Sequence, residues 1–292
     1  MMQVTIASSV SASGVGLHSG SPIYLTFRPA PPNVGVVFRR VDCSPVKEIP
    51  ANMAFISDTR LCTTLERHGI KVATVEHLLS AIAGVGVDNL YVDLNGPEVP
   101  IMDGSASPFV FLLQSGGLKL QQVPKKIIRV TEAVSVKDEK TGVFCRLSPY
   151  NGRKVDFCIN FDHPAFSDKM QRASIDLDNE SYFIDVSRAR TFGFVTQLEM
   201  LKKQNLALGA SLNNAIGLDE QSILNPGGLR YRNEFAMHKI LDAIGDLHLF
   251  GSLIQGQFEG YCSGHRMNKL LLDKLVSTGS YEVLDLTVCD AA

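Results

Sequence analysis

One segment of the chain places four titratable side chains at four-residue steps along what its pattern predicts to be a buried helix. The segment is RNEFAMHKILDAIGDLHLFG, residues 232–251, and the stripe consists of Glu234, His238, Asp242 and Asp246. Apolar residues surround the stripe on nearly every side, which is typical of a buried helix. Because an unpaired charge is costly to bury, these side chains must have partners.

His238 and Asp242 project from one face of that helix, one turn apart. A single helix can offer two ligands to one metal ion at this spacing. Zinc binds imidazole nitrogen and carboxylate oxygen, and a catalytic zinc site has three protein ligands and a water. The alternative is an i,i+4 ion pair on a solvated face, but the apolar neighbours favour a metal site.

A third ligand must come from elsewhere, and His77 is the best candidate among the other histidines. It follows Glu76 near the start of a second predicted helix, TVEHLLSAIAG, residues 74–84. Adjacent residues lie about 100° apart around a helix, so both can face one cleft. His77 could then bind the metal while Glu76 accepts a proton from the attacking water. The alternative is a first-turn glutamate that complements the helix dipole.

Two further histidines stand beside glycines. His265, in YCSGHRMNK, could be a general acid that Asp246 orients through a hydrogen bond. It could also be a structural or surface histidine. His18 lies in SGVGLHSG, residues 13–20, whose glycine spacing and following strand-like PIYLTF exclude a dinucleotide-binding loop. A turn that brings His18 to a ligand remains open.

The order of the predicted elements indicates an α+β fold with two similar domains. In residues 1–122, the strands VTIAS, IYLTFRPA, VGVVFRRV and RLCTTLE precede a helix over 74–84, then come the strand DNLYVDLNG and a helix in ASPFVFLLQSGG. In residues 127–292, the strands KIIRVTEAVSV, GVFCRLSP and VDFCINF precede helices in EMLKKQNL, residues 232–251 and NKLLLDKLV. Thr74 and Gly84 are the expected caps of the helix over 74–84. SGGLKLQQVPKK, residues 115–126, is the predicted boundary, and the similar EHLLSAIAG and MHKILDAIG weakly support a duplicated unit.

Composition narrows the class of protein. The 292 residues are 45% hydrophobic and 20% charged with a formal net charge of −2, so nothing suggests a nucleic-acid partner. No signal peptide starts the chain, and no apolar run reaches the roughly 18–20 residues of a membrane span. The six cysteines include no C-x-x-C pair. We therefore expect a cytoplasmic protein with reduced thiols.

The motifs together closely resemble the UDP-3-O-acyl-N-acetylglucosamine deacetylases, the zinc amidohydrolases of lipid A biosynthesis. The likeness runs in the family's order from SGVGLHSG through TVEHLLSAIAGVGVDNLYVDLNGPEVPIMDGSASPF, SRARTFGF, LNNAIGL and RNEFAMHKILDAIGDL to SGHRMNK. It covers nearly the whole chain, and the combination is highly specific. The resemblance implies two similar α+β domains, with their helices packed between two sheets and the active site between the domains.

The resemblance also implies roles for individual residues. His77, His238 and Asp242 would bind one catalytic zinc ion, and Glu76 would be the general base. His265, with Asp246 beside it, would be a general acid or an electrostatic stabiliser, and Thr191 would support the oxyanion. The implied substrate contacts are Lys239, Phe192, the uridine-stacking Phe161 and, in the glycine-rich turn, His18. Residues 192–212 would form a passage for the acyl chain.

The implied partner is therefore a UDP-linked, acylated amino sugar, bound by a monomer. One departure concerns Cys262, where the family often has a basic residue near the diphosphate. Lys239 or Arg266 would then recognise the phosphates. Two alternatives keep parts of this interpretation: a metal-free module that binds sugar nucleotides or lipids, and a zinc amidohydrolase for another N-acetyl sugar. Glu234 is expected to lie outside the site, as a partner of the helix dipole.

Overall fold

The computed structural model describes residues 1–286, so Cys289 lies outside the described residues. Within that range the α-helices are α1 Glu76–Val85, α2 Ser107–Ser115, α3 Val195–Lys203, α4 Glu234–His248 and α5 His265–Thr278. The strands are β1 Met2–Ile6, β2 Val10–Val15, β3 Pro22–Pro29, β4 Val36–Arg40, β5 Lys47–Pro50, β6 Ile56–Asp58, β7 Thr64–Arg67, β8 Ile70–Val72, β9 Leu90–Leu94, β10 Leu118–Pro124, β11 Lys126–Val130, β12 Val134–Lys137, β13 Phe144–Ser148, β14 Arg153–Cys158, β15 Arg172–Asp176, β16 Phe192–Phe194, β17 Ile216–Leu218, β18 Leu253–Tyr261 and β19 Tyr281–Asp285. The predicted α+β class is confirmed.

Two larger sheets have a comparable core arrangement. The first has the order β2-β3-β9-β4-β5, in which β9 is antiparallel to β3 and parallel to β4. The second has the order β12-β13-β18-β11-β19, with β14 and β15 attached through β18. There β18 is antiparallel to β13 and parallel to β11 and β14. In both sheets, the strand that follows α1 or α4 along the chain thus lies between an antiparallel and a parallel neighbour.

Helix α4 is the buried helix that its sequence pattern predicts. All its residues except Lys239 and His248 are buried. It packs against α1 on one side and against α5, β14 and β15 on others, which explains apolar residues all round its axis. The titratable stripe therefore lies inside the protein, where its members need partners from α4 itself or from neighbouring elements.

Close contact between α1 and α4 depends on Gly245. A Cβ atom at this position would lie 2.0 Å from the backbone oxygen of Glu76. Gly84, at the matching place in the other nine-residue segment, faces the ring of Tyr182, where a Cβ atom would come within 2.2 Å. Both glycines thus let a neighbour approach the helix surface, and Gly245 brings the backbone of α4 against the residue beside His77.

We expect Gly245→Ala to lower the free energy of unfolding by about 1–3 kcal/mol, because overpacking a close helix contact forces the backbones apart. Thermal unfolding followed by circular dichroism measures this change. The matched control is Gly227→Ala, since a Cβ atom there meets nothing within 4 Å. Its effect should stay within about 0.5 kcal/mol. Equal stability of the two variants would contradict the proposed role of Gly245.

Residues 115–126, predicted as a boundary segment, contain β10, which pairs antiparallel with β1. The structure corrects both predicted caps of α1. Thr74 does not cap α1: Val75 is the N-cap, and the Thr74 hydroxyl donates to Glu98 at 3.1 Å. Gly84 does not end that helix, which continues to Val85 before the left-handed Gly86. Tertiary contacts outweigh these local signals.

The RLCTTLE segment is only partly a strand. β7 begins at Thr64, because Leu61 has a left-handed φ of 65° and Thr63 bonds to a helix instead of a strand. One cluster of buried side chains includes residues of both halves of the chain. The division into domains 1–122 and 127–292 therefore stays a prediction. Cys43, Cys62, Cys145, Cys158 and Cys262 are free thiols, as expected. Among residues 1–286, no helix has both the length and the apolar character of a membrane span.

Candidate active site

Helices α1 and α4 bring His77, His238 and Asp242 together in the interior. Their potential ligand atoms all lie within 4.8 Å of one another, and all three side chains are buried. The Nε2 atoms of His77 and His238 lie 3.5 Å and 3.4 Å from Oδ1 of Asp242. The two imidazole rings are nearly perpendicular, with centroids 4.9 Å apart. Three ligand atoms thus converge on one point.

Asp242 and His238 have the hydrogen bonding expected of metal-binding residues. Oδ1 of Asp242 is buried and has no hydrogen-bond partner, although a carboxylate oxygen is costly to leave unpaired. Nδ1 of His238 lies 3.0 Å from the backbone oxygen of Ala189. Such a bond fixes the ring so that Nε2 faces the metal. These residues therefore fit a bound cation.

Protonation states agree with this fit. Burial lowers the pKa of His238 to about 3, so its imidazole is neutral at physiological pH. Burial alone would raise the pKa of Asp242, but His238 and Lys239 hold it well below its usual range. A neutral imidazole and an ionised carboxylate are the forms that bind metals.

A second group of titratable residues lies beside the three ligands. Nδ1 of His265 donates to Oδ2 of Asp246 at 2.7 Å, and Nε2 of His265 lies 3.8 Å from Oε1 of Glu76. Burial raises the pKa of Glu76. Burial also acts to lower the pKa of His265, but Asp246 and Glu76 outweigh it and raise that pKa to about 9. The site therefore holds a buried carboxyl group next to a protonated imidazole.

A pocket of about 140 Å³ is lined by His77, His238 and Asp242 together with Glu76 and His265. Its walls are formed by Leu17, Leu61, Cys62, Thr74, Glu76, His77, Thr191, Phe192, His238, Lys239, Asp242 and His265. Thr191, Phe192 and Lys239 thus line the same pocket as His77, His238 and Asp242. Nζ of Lys239 also donates to Oδ2 of Asp242.

An apolar cavity of about 400 Å³ shares the walls Leu17, Leu61, Thr191 and Phe192 with this pocket. It is otherwise lined chiefly by the 192–212 segment, which contains β16 and α3. His18 lines this cavity and not the smaller pocket. Its backbone oxygen accepts from the N–H of Leu208 at 3.1 Å, so the glycine-rich turn supports the segment.

Phe161 lies farther from the ligand atoms. Its half-buried ring stacks on Phe166 at 5.1 Å between centroids and contacts Phe192 at 5.8 Å and Phe194 at 5.7 Å. Through Phe192 this aromatic cluster reaches the pocket. Arg266 is exposed on the first turn of α5. Cys262 adopts a left-handed φ of 49°, and burial raises the pKa of its thiol.

Glu234 has a larger role than the expected dipole partner. Its side chain is fully buried and pairs with the guanidinium of Arg190, with Nε–Oε1 at 2.7 Å and Nη2–Oε2 at 3.0 Å. It also accepts from the backbone N–H groups of Arg190 and Arg230. Because Thr191 follows Arg190, this ion pair fixes the segment that carries Thr191.

Sequence reasoning missed three contributions to the site. They are the backbone oxygen of Ala189, the Asn268 amide that donates to Asp246 at 2.8 Å, and Thr63. None lies in a motif that signals chemistry by itself. Only the folded positions of α4 and α5 reveal Ala189 and Asn268 as neighbours of the stripe.

Comparisons with known proteins give matches over nearly the whole chain. Residues 3–277 match the LpxC family, described as UDP-3-O-acyl N-acetylglycosamine deacetylase. The chain is 54% identical over 278 residues to a UDP-3-O-acyl-N-acetylglucosamine deacetylase of Coxiella burnetii, covering 95% of this chain and 91% of that protein. It is 54% identical to the enzyme of that name from Chromohalobacter salexigens (94% and 90% covered) and 53% identical to one from Legionella pneumophila (94% and 90%).

Proposed function

The chain belongs to the LpxC family of UDP-3-O-acyl-N-acetylglucosamine deacetylases, and we propose that its buried pocket carries out this deacetylation with one zinc ion. The reaction hydrolyses the N-acetyl group of a UDP-linked, 3-O-acylated glucosamine and releases acetate, a step of lipid A biosynthesis. The observation that carries the proposal is the convergence of His77, His238 and Asp242 beside Glu76 and His265.

The spacing of the ligand atoms supports zinc. Ligand atoms around a tetrahedral zinc ion, with bonds of about 2.0–2.1 Å, lie roughly 3.4 Å apart. The two distances from Asp242 Oδ1 to the histidine Nε2 atoms are 3.4 Å and 3.5 Å. When bound, zinc lowers the pKa of a water towards about 7 and polarises the amide carbonyl.

The chain's own residues would divide the remaining chemistry. Glu76 accepts the proton of the attacking water, because it is the buried carboxylate next to the ligands. The Thr191 hydroxyl donates to the oxyanion of the tetrahedral intermediate, a contribution typically worth a few kcal/mol. His265, protonated and held by Asp246, stabilises negative charge, and either it or Glu76 protonates the leaving amine.

The binding of the substrate would follow the two cavities. The acyl chain enters the apolar cavity lined by the 192–212 segment, with His18 on its wall. Lys239 and Phe192 contact the sugar of the substrate in the pocket, and the ring of Phe161 stacks on the uridine. Arg266 offers an exposed charge for the diphosphate. The domain division, the cytoplasmic location, the monomeric state and the lack of nucleic-acid binding stay predictions.

The decisive test is acetate release from the acylated UDP sugar by protein stripped of metal and then reloaded. We expect activity to disappear with the metal and to return with about one equivalent of zinc per chain. A metal-free binding module would bind the substrate but release no acetate under any metal loading, and this result would refute the hydrolase.

The same assay with the non-acylated UDP sugar tests the acyl passage. We expect kcat/KM to fall by several orders of magnitude, because each buried methylene contributes about 0.8 kcal/mol. Leu198, on the cavity wall, provides a variant: Leu198→Asp should weaken turnover of the acylated substrate only. Equal turnover of both substrates by the unaltered protein would favour an amidohydrolase for another N-acetyl sugar.

A further inference from the structure

Thr63 makes three hydrogen bonds that join separate parts of the candidate site. Its backbone N–H donates to Oε2 of Glu76 at 3.0 Å, and its hydroxyl donates to Oδ1 of Asp246 at 2.6 Å. Its carbonyl oxygen accepts from the N–H of Val75, the N-cap of α1, at 3.3 Å. Only 1% of Thr63 is exposed, so water does not compete for these bonds.

In each of the two carboxylates, one oxygen bonds to Thr63 and the other oxygen faces His265. Thr63 bonds to Oε2 of Glu76, and the other oxygen, Oε1, faces Nε2 of His265 at 3.8 Å. Thr63 also bonds to Oδ1 of Asp246, whose Oδ2 accepts from His265 Nδ1 and from Asn268. One residue thus sets the rotation of both carboxyl groups around the same imidazole.

We propose that Thr63 is a positioning residue for the deacetylation, which aligns Glu76 and Asp246 on opposite nitrogens of His265. The inference rests on the proposed function, since it concerns the same reaction. Asp246, which accepts from the Thr63 hydroxyl, lies 183 positions later in the chain. Thr63 therefore also connects the first half of the chain to α4. It need not touch substrate to affect the rate.

The hydroxyl is the part of Thr63 that a substitution can remove cleanly. Valine has nearly the same shape, so Thr63→Val leaves the packing and both backbone bonds in place. Oδ1 of Asp246 would then lack a donor, and a buried carboxylate oxygen without a partner is strongly disfavoured. Rotation of the carboxylate towards another donor would break its alignment with His265 Nδ1.

The test compares Thr63→Val with Thr63→Ser, which keeps the hydroxyl, and with Thr64→Val. Thr64 is the matched control, because it is also buried and, among residues 1–286, its hydroxyl hydrogen-bonds to no side chain other than the Cys62 thiol, at 3.8 Å. We expect Thr63→Val to lower kcat roughly tenfold to a hundredfold, with KM and zinc content unchanged. Thr63→Ser and Thr64→Val should stay within about threefold of the unaltered enzyme. An unchanged kcat in Thr63→Val, or an equal loss in Thr64→Val, overturns the proposal.

A second measurement does not depend on turnover. In protein labelled with ¹⁵N-histidine, the Nδ1 proton of His265 reports its bond to Asp246. We expect this proton resonance to move upfield in Thr63→Val and to stay in place in Thr63→Ser; Thr63→Ala gives the same comparison if the valine variant does not fold. An unmoved resonance refutes the positioning role even if the chain hydrolyses another substrate, whereas inactive wild-type protein with a moved resonance refutes only the proposed reaction.

Discussion

Asp242→Asn is expected to abolish deacetylation and to weaken zinc binding by more than about a hundredfold, since even the loss of an outer partner of a metal ligand costs roughly 10–100-fold. Oδ1 of Asp242 lies close to both histidine Nε2 atoms, so it is the common neighbour of the other two ligands. The amide carries no charge. It also leaves the Lys239 ammonium without its carboxylate partner.

Zinc content per chain after exhaustive dialysis measures the loss of zinc binding, and acetate release measures the loss of deacetylation. Asp246→Asn is the matched control, because Asp246 lies one turn farther along α4 and contacts His265 instead of the ligands. Asp246→Asn should retain its zinc but release acetate more slowly. If Asp242→Asn retained a full equivalent of tightly bound zinc, the assignment of the three ligands would be wrong.

Glu76→Gln and His265→Gln are each expected to lower kcat by about 10²–10⁴, the usual range for a general acid or base, while zinc stays bound. Both side chains lie in the pocket beside the ligands without belonging to them. Single-turnover acetate release, with zinc measured on the same samples, tests this. Losses below about tenfold in both variants would refute the assigned roles.

The pH dependence gives these two residues separate signatures. Glu76 must be ionised to accept a proton, and burial raises its pKa, so activity should be lost as pH falls through a value above that of an ordinary glutamate. His265 acts in its charged form. Burial lowers its pKa, but Asp246 and Glu76 outweigh this effect and raise it to about 9, so activity should be lost as pH rises through that region. His265→Gln should remove the alkaline limb of the kcat/KM profile and leave the acidic limb.

The burial of the titratable stripe was predictable because its signal is local. His238 and Asp242 share a helix, and apolar neighbours on all sides predict the burial that the structure confirms. His77 was the best third candidate from the residues alone, but its place beside Glu76 is a weak pattern, and the resemblance added the stronger support. The structure places Nε2 of His77 3.5 Å from Oδ1 of Asp242.

Contacts between distant segments were not predictable. Thr63 lies in a run that has the pattern of a strand, and its hydroxyl bonds to a side chain 183 positions away. Glu234 occupies a first helical turn, where a dipole partner is the ordinary explanation. Its pairing with Arg190 depends on where another segment folds. The prediction that Thr74 caps α1 was wrong for the same reason, because the Thr74 hydroxyl donates to Glu98 instead.

The contact between α1 and α4 at Gly245 also bears on when the metal site comes into existence during synthesis. His77 leaves the ribosome well before His238 and Asp242, and at roughly 5–20 residues per second the intervening chain takes on the order of 10–30 seconds to make. Until then the nascent protein offers a single one of the three ligands. With the three proposed ligands, a chain that stops short of α4 would lack two of them and could not complete the site.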